Sequence, residues 1–178
     1  MQDQEWIKQI QMGDHAAFAQ LYQRYARDVY QYIYLYMNHR QTTEDLVQET
    51  FLRAYKNSYQ YDLNKSAIRT WLHRIAAHLC IDNIRKKKPN EVTLEIYYEP
   101  KLAGIADKVE NQIWIKKFLT RLPDLNRSIL ILAYYQGFKG KEIAEIVGIP
   151  VGTVKSKLHY SLQKLKTWMN EEGESYVS

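Results

Sequence analysis

GKEIAEIVGIPVGTVKSKLHYSLQKL, residues 140–165, is the stretch on which the fold turns. Ala144 is small where two helices must cross closely, and Gly148 follows four residues later, where a tight turn needs positive φ. Ile143, Val147, Ile149, Val154 and Leu158 supply the apolar filling between the two helices. Pro150 or Val151 opens the second one, because proline is tolerated in a first turn. At about 100° per residue, Val154, Leu158, Ser161 and Leu165 share one face, with Leu162 at its margin. The opposite face carries Gly152, Lys155, Ser156, His159 and Gln163, flanked by Thr153, Lys157 and Tyr160. Short polar and cationic groups of this kind suit major-groove edges and phosphates, and Gly152 lets a nucleic-acid backbone approach closely. A helix-turn-helix serves repressors, activators and promoter-recognition factors alike, so the motif alone leaves the job open.

Working outward, the rest of the chain is patterned to match. The 178 residues carry a net charge of +5, and that charge is divided unevenly. Residues 1–88 hold 13 basic and 9 acidic side chains, residues 89–112 hold 2 and 5, and residues 113–178 hold 10 and 6. Two basic blocks joined by an acidic connection predict a polyanionic partner for each block. Only 7 Gly and 4 Pro interrupt the chain, which favours long helices. The expected architecture is all-α, with two small helical domains at 1–90 and 111–170, a flexible linker at 91–110 and a frayed polar tail at 171–178. Helices are expected near 2–11, 14–37, 43–58 and 67–87, then near 108–121, 124–136, 140–147 and 151–170. Asp14 and Thr43 are the expected N-caps, and Gly137 the expected helix stop. Phe18, Tyr22, Tyr25, Val29, Ile33 and Tyr36 recur at helical spacing, which marks a core stripe.

Several function classes drop out. One cysteine, Cys80, permits no internal disulfide and no cysteine-based zinc site, and it reads as a small core residue. Met1 to Ile10 has no apolar run of the secretory kind, and no stretch approaches the roughly 20 apolar residues that span a bilayer; a soluble cytoplasmic protein is expected. His73 and His78 are five residues apart and poorly placed to share a metal on one helix. The run from Gly137 to Lys141 lacks phosphate-loop spacing. No cofactor, metal or catalytic residue is expected.

Two further runs narrow the reading. In residues 44–55, EDLVQETFLRAY, Val47, Thr50, Phe51 and Ala54 project inward, while Asp45, Gln48, Glu49 and Leu52 project outward together. An exposed leucine among carboxylates and an amide suits a basic partner with an apolar tip. In residues 70–88, TWLHRIAAHLCIDNIRKKK, Leu72, Ile75, Ala76 and Leu79 form a core stripe. Arg74, His78 and Arg85 lie on the other side, and the basic end can grip phosphates.

With these runs in this order, residues 5–168 resemble the extracytoplasmic-function (ECF) sigma factors of bacterial RNA polymerase. The resemblance implies that the chain binds core polymerase through the β′ clamp and the β flap and reads promoter −10 and −35 elements. It places the clamp contact on Asp45, Leu46, Gln48, Glu49 and Leu52. It lays the helix from Trp71 to Lys88 along −10 DNA, with Trp71, Arg74, His78, Asp82, Arg85 and Lys86 as contacts. The loop from Ser58 to Ser66 would hold a flipped −10 base, using Tyr59, Tyr61, Asp62, Asn64 and Lys65, since an unstacked base needs an aromatic wall and polar groups at its edge. Gly152, Thr153, Lys155, Ser156, Lys157 and His159 would meet the −35 element. The linker would thread near the RNA exit path. His78 stands where many relatives carry Asn. Lys157 replaces the more usual Arg, which favours a phosphate contact over a bidentate guanine contact. Control by an anti-sigma factor, often membrane-bound, is a further implication. A stand-alone helix-turn-helix regulator with palindromic operators is the alternative.

Overall fold

The computed structural model describes residues 2–87 and 115–175, the last three by backbone alone. It contains helices and no strand among the described residues. The amino-terminal half is built from α1 (Gln2–Gln11), α2 (His15–Met37), α3 (Arg40–Lys56), a short 3-10 turn (Ser58–Gln60) and α4 (Ile68–Lys87). After a helical stretch at residues 115–119 come α5 (Asp124–Tyr134), α6 (Gly140–Val147) and α7 (Val151–Ser175). The linker expected at 91–110 and the start of the helix expected near 108 lie outside the described residues.

Local chemistry accounts for most of the boundaries. Asp14 caps α2, its carboxylate accepting from the backbone N–H of Ala16 and Ala17, two donors that the helix itself cannot satisfy. Asn38 ends α2 in the left-handed region at φ 50°, a conformation that asparagine tolerates. The expected cap at Thr43 is corrected. Helix α3 starts at Arg40, with the His39 ring accepting from the Thr42 N–H, while Thr43 is buried and its hydroxyl donates to the His39 carbonyl at 2.7 Å. Gly137 (φ 68°) and Gly148 (φ 73°) supply the positive φ that stops α5 and makes the turn between α6 and α7. The tail is also corrected in part. Helix α7 continues to Ser175, and Glu172 holds Lys117 at 3.1 Å and Arg121 at 3.3 Å.

Helices α1 to α4 pack as a bundle around Ile7, Leu21, Val29, Ile33, Val47, Phe51 and Leu72. Helices α5 to α7 pack as a second, smaller unit around Ile129, Leu132, Ile143 and Val154. The two units meet along a seam, where α2 and α4 pack directly on α5 and α6 and the apolar cores are continuous. Polar contacts cross this seam. The hydroxyls of Tyr32 and Ser128 share a hydrogen bond of 2.7 Å, and Tyr36 donates to the Asp124 carbonyl at 3.1 Å. Arg127 is buried. It donates to the carbonyls of Leu119 (2.8 Å), Thr120 (3.1 Å) and, across the seam, Tyr36 (3.2 Å). Those carbonyls end two helical stretches, where the aligned peptide dipoles place partial negative charge.

Candidate nucleic-acid interface

Helix α7 is set by the turn at Gly148 and by a buried amide. Asn126 of α5 donates from Nδ2 to the Lys157 carbonyl and to Ser161 Oγ, both at 3.2 Å. With Val154 buried on the same side, α7 can present only its opposite side to solvent. Gly152, Lys155, Ser156 and His159 are exposed there. Thr153 and Lys157 are half-buried, and Lys157 lines a cleft of about 370 Å³ with Pro123, Asn126, Ser156 and Tyr160. The Ser156 hydroxyl donates to the Thr153 carbonyl at 3.1 Å, which leaves its lone pairs to accept from a ligand.

On α4, Arg74, His78, Asp82, Arg85 and Lys86 form one exposed stripe. Burial and the neighbouring Arg74 charge lower the His78 pKa from its ordinary value. Its imidazole is therefore neutral at physiological pH and able both to donate and to accept. At the start of the helix, Trp71 is half-buried and stacks on Tyr61, with ring centroids 4.5 Å apart and an interplanar angle of 28°. Tyr61 corrects an expectation. It is only 8% exposed, its hydroxyl donates to the Ser66 carbonyl, and burial pushes its pKa up to about 12. It shapes the loop and is not open to a base. Around it, Asp62 accepts from the Asn64 N–H at 2.9 Å and pairs with Lys65 at 3.8 Å. Asn64 and Lys65 are exposed, Asp62 is half-buried, and Tyr59 stands out at 69% exposure.

A third face lies on α3. Asp45, Gln48 and Leu52 are exposed, and half-buried Glu49 pairs with Arg53 at 2.6 Å. Leu46 is a second correction. It is 8% exposed, since it shares the inward side of α3 with Val47 and Thr50 and so serves as packing. The outward residues border a groove of about 580 Å³ between α2 and α3. Phe18, Tyr22 and Phe51 form its floor, with Tyr22 edge-on to Phe51 at 4.7 Å, and His15 and Tyr55 stack at one end. These groove residues were not among the expected contacts. Tyr22 and Phe18 belong to the core stripe by their spacing, and only their incomplete burial distinguishes them from the rest of it.

Among the described residues, no cluster of three or more His, Cys, Asp or Glu is placed to hold a metal ion, and no helix is long and apolar enough to cross a membrane. Cys80 is fully buried, with its thiol pKa raised by desolvation.

Comparison with known proteins follows the same division. Residues 21–89 match the Sigma-70 region 2 family and residues 112–165 match Sigma-70, region 4. The chain is 35% identical to the ECF RNA polymerase sigma factor SigW of Bacillus subtilis, over 93% of this chain and 95% of that one. It is 33% identical to SigM of the same organism, over 85% and 94%. Among solved structures it resembles CnrH in complex with the cytosolic domain of CnrY (TM-score 0.75, 22% identity, covering 96% of this chain and 99% of that one). It also resembles RpoE in complex with the anti-sigma factor NepR from Bartonella quintana (TM-score 0.73, 22% identity, covering 86% and 96%). Both solved relatives share the all-helical fold. The chain belongs to the extracytoplasmic-function sigma factors, which bind core RNA polymerase and direct initiation of transcription at specific promoters.

Proposed function

We propose that each of the three exposed faces carries one part of promoter-directed initiation. The groove bordered by Asp45, Gln48, Glu49 and Leu52 receives the polymerase β′ clamp, with apolar partner side chains against Phe18, Tyr22 and Phe51 and basic ones against the acidic rim. The stripe from Arg74 to Lys86, with Tyr59, Asp62, Asn64 and Lys65 in the adjoining loop, engages the −10 element and holds a base out of the stack. The face of α7 formed by Gly152, Thr153, Lys155, Ser156, Lys157 and His159 engages the −35 element. Residues 1–90 and 111–170 act as the two promoter-reading units, and the acidic segment at 91–110 links them. Polymerase supplies the chemistry, and this chain supplies promoter choice. The solved relative RpoE, in complex with the anti-sigma factor NepR, supports control of this chain by such a protein.

The observation that carries this reading is the pair of exposed cationic stripes, on α4 and on α7, each on a helix whose opposite side is packed. Run-off transcription with purified core polymerase on pooled genomic templates tests it. Promoter-dependent transcripts are expected, and their absence with active core enzyme would refute the assignment. A stand-alone operator-binding regulator would instead behave as a dimer on palindromic sites.

A further inference from the structure

Ser161 is the one polar member of the inward line of α7. Its companions there, Val154, Leu158 and Leu165, are apolar and packed on the core, and Ser161 itself is fully buried. Across from it, α5 offers another buried polar side chain, Asn126, only 4% exposed. The Asn126 amide donates from Nδ2 to the Lys157 carbonyl and to Ser161 Oγ, and Ser161 Oγ donates to the same carbonyl at 2.8 Å. Stability does not require this set of bonds. With an apolar side chain at 126, Ser161 would still donate to the Lys157 carbonyl and no buried group would be orphaned. Replacing a buried polar contact by apolar packing is commonly neutral or stabilising. What the amide adds is a single register for the helix pair.

The register is unique for a steric reason. A helical carbonyl already accepts from the N–H one turn on, and its free lone pair is covered by the side chain one turn on, which leans back over it. Leu158 covers the Val154 carbonyl in this way, and Leu165 covers that of Ser161. Only Ser161 is small enough to leave a carbonyl, that of Lys157, open to α5. A slip of α7 by one turn, about 5.4 Å, would face Asn126 with a leucine and leave its amide buried and unpaired. The carbonyl so gripped belongs to Lys157, in the middle of the exposed face that carries Thr153, Ser156 and His159. Hydrogen bonds to base edges need their atoms placed within about 0.5 Å, whereas a lysine on a flexible stem reaches a phosphate from many positions. We propose that Asn126 is a positioning residue for −35 recognition: it fixes the register of α7, and so its choice of bases, without touching DNA. This rests on the reading of α7 as the −35 face.

The test separates base choice from general affinity. Holoenzyme made from core polymerase and the full chain first identifies a promoter by run-off transcription on pooled genomic templates. Its affinity is then measured for that promoter and for the same duplex with the upstream element scrambled, at several salt concentrations. Asn126→Leu shares the branched shape but has no donor, and the open cleft beside Asn126 has room for the larger side chain. The variant should keep its Tm, its affinity for the scrambled duplex and its salt slope. Its preference for the native promoter should fall about tenfold. Asn126→Ala, which also leaves nothing unpaired, takes its place if the leucine variant does not fold. An unchanged preference overturns the positioning role. So does a parallel fall in both affinities with a lowered Tm, the mark of a residue that only supports the fold. A wild-type holoenzyme that finds no promoter, or that binds both duplexes equally, refutes the −35 reading itself, and the positioning role falls with it.

Discussion

His73 offers a direct measure of how dry the seam is. The ring is fully buried between Tyr32 and Phe138, with centroids 5.8 and 4.9 Å away. Its Nδ1 lies 2.8 Å from the Arg69 carbonyl. A carbonyl can only accept, so Nδ1 carries the proton and Nε2 is left as a buried lone pair without a hydrogen-bond partner. Desolvation, with the Arg69 charge adding to it, depresses the pKa to about 4, against about 6.5 in the unfolded chain. The hydrogen bond to the Arg69 carbonyl, Asp28 and the Gln136 side chain act in the opposite direction and do not offset it. Because the unfolded state takes up the proton first, stability rises with pH across this window, is complete above about pH 6.5, and is lost as pH falls toward 4. Linkage between these two values gives a loss of about 2 kcal/mol between pH 7.5 and pH 5. For a chain of this size that amounts to a fall in Tm of roughly 4–8 °C. Urea unfolding followed by circular dichroism at both pH values measures it. His73→Gln, which can keep the bond to Arg69 but does not titrate, should lose about 2 kcal/mol less over the same interval. The His78 shift has the same sign, is common to both proteins and cancels in the difference. Equal losses in the two proteins would show that His73 is hydrated and that the seam is open in solution.

The exposed faces and the turn give further expectations. Lys155→Ala should reduce the slope of log affinity against log salt for −35 DNA by about one unit, as one lost phosphate contact requires; binding titrations at several salt concentrations read it. Asp45→Ala with Leu52→Ala should weaken holoenzyme assembly at least tenfold, about 1.4 kcal/mol, with unchanged helicity, as measured by native gel or light scattering with core enzyme. Gly148→Ala meets no atom within 4 Å but keeps φ at +73°, so its cost is backbone strain alone, about 1–2 kcal/mol, visible in the urea midpoint.

The two blocks of helices and their inward and outward sides were legible because helical projection needs only one element at a time. Val47, Thr50, Phe51 and Ala54 are buried, and Lys155, Ser156 and His159 are exposed, as the 100° spacing requires. The same projection does not say which neighbour an inward residue meets. Tyr32, His73 and Phe138 are buried at the seam, and nothing in their spacing separates them from residues packed within their own unit. The burial of Leu46 and Tyr61 was not legible for another reason. They were placed by motif position, and their burial depends on partners elsewhere in the chain: Leu46 packs in the bundle core, and Tyr61 stacks on Trp71 and is tied to Ser66. The groove between α2 and α3 was illegible because it belongs to two helices and exists only once they are paired.

Helix α4 is constrained on nearly every side. Leu72, Ala76 and Leu79 pack in the bundle, while Arg69, His73 and Cys80 belong to the side turned toward the second unit. Its only freely variable line from Arg74 to Lys86 is the exposed one. A lineage that diversifies its −10 preference through this helix can therefore draw on about five positions, Arg74, His78, Asp82, Arg85 and Lys86, without cost to the fold. Randomised libraries confined to those five codons should retain a high fraction of folded members, and an equal number of changes at the neighbouring positions should not.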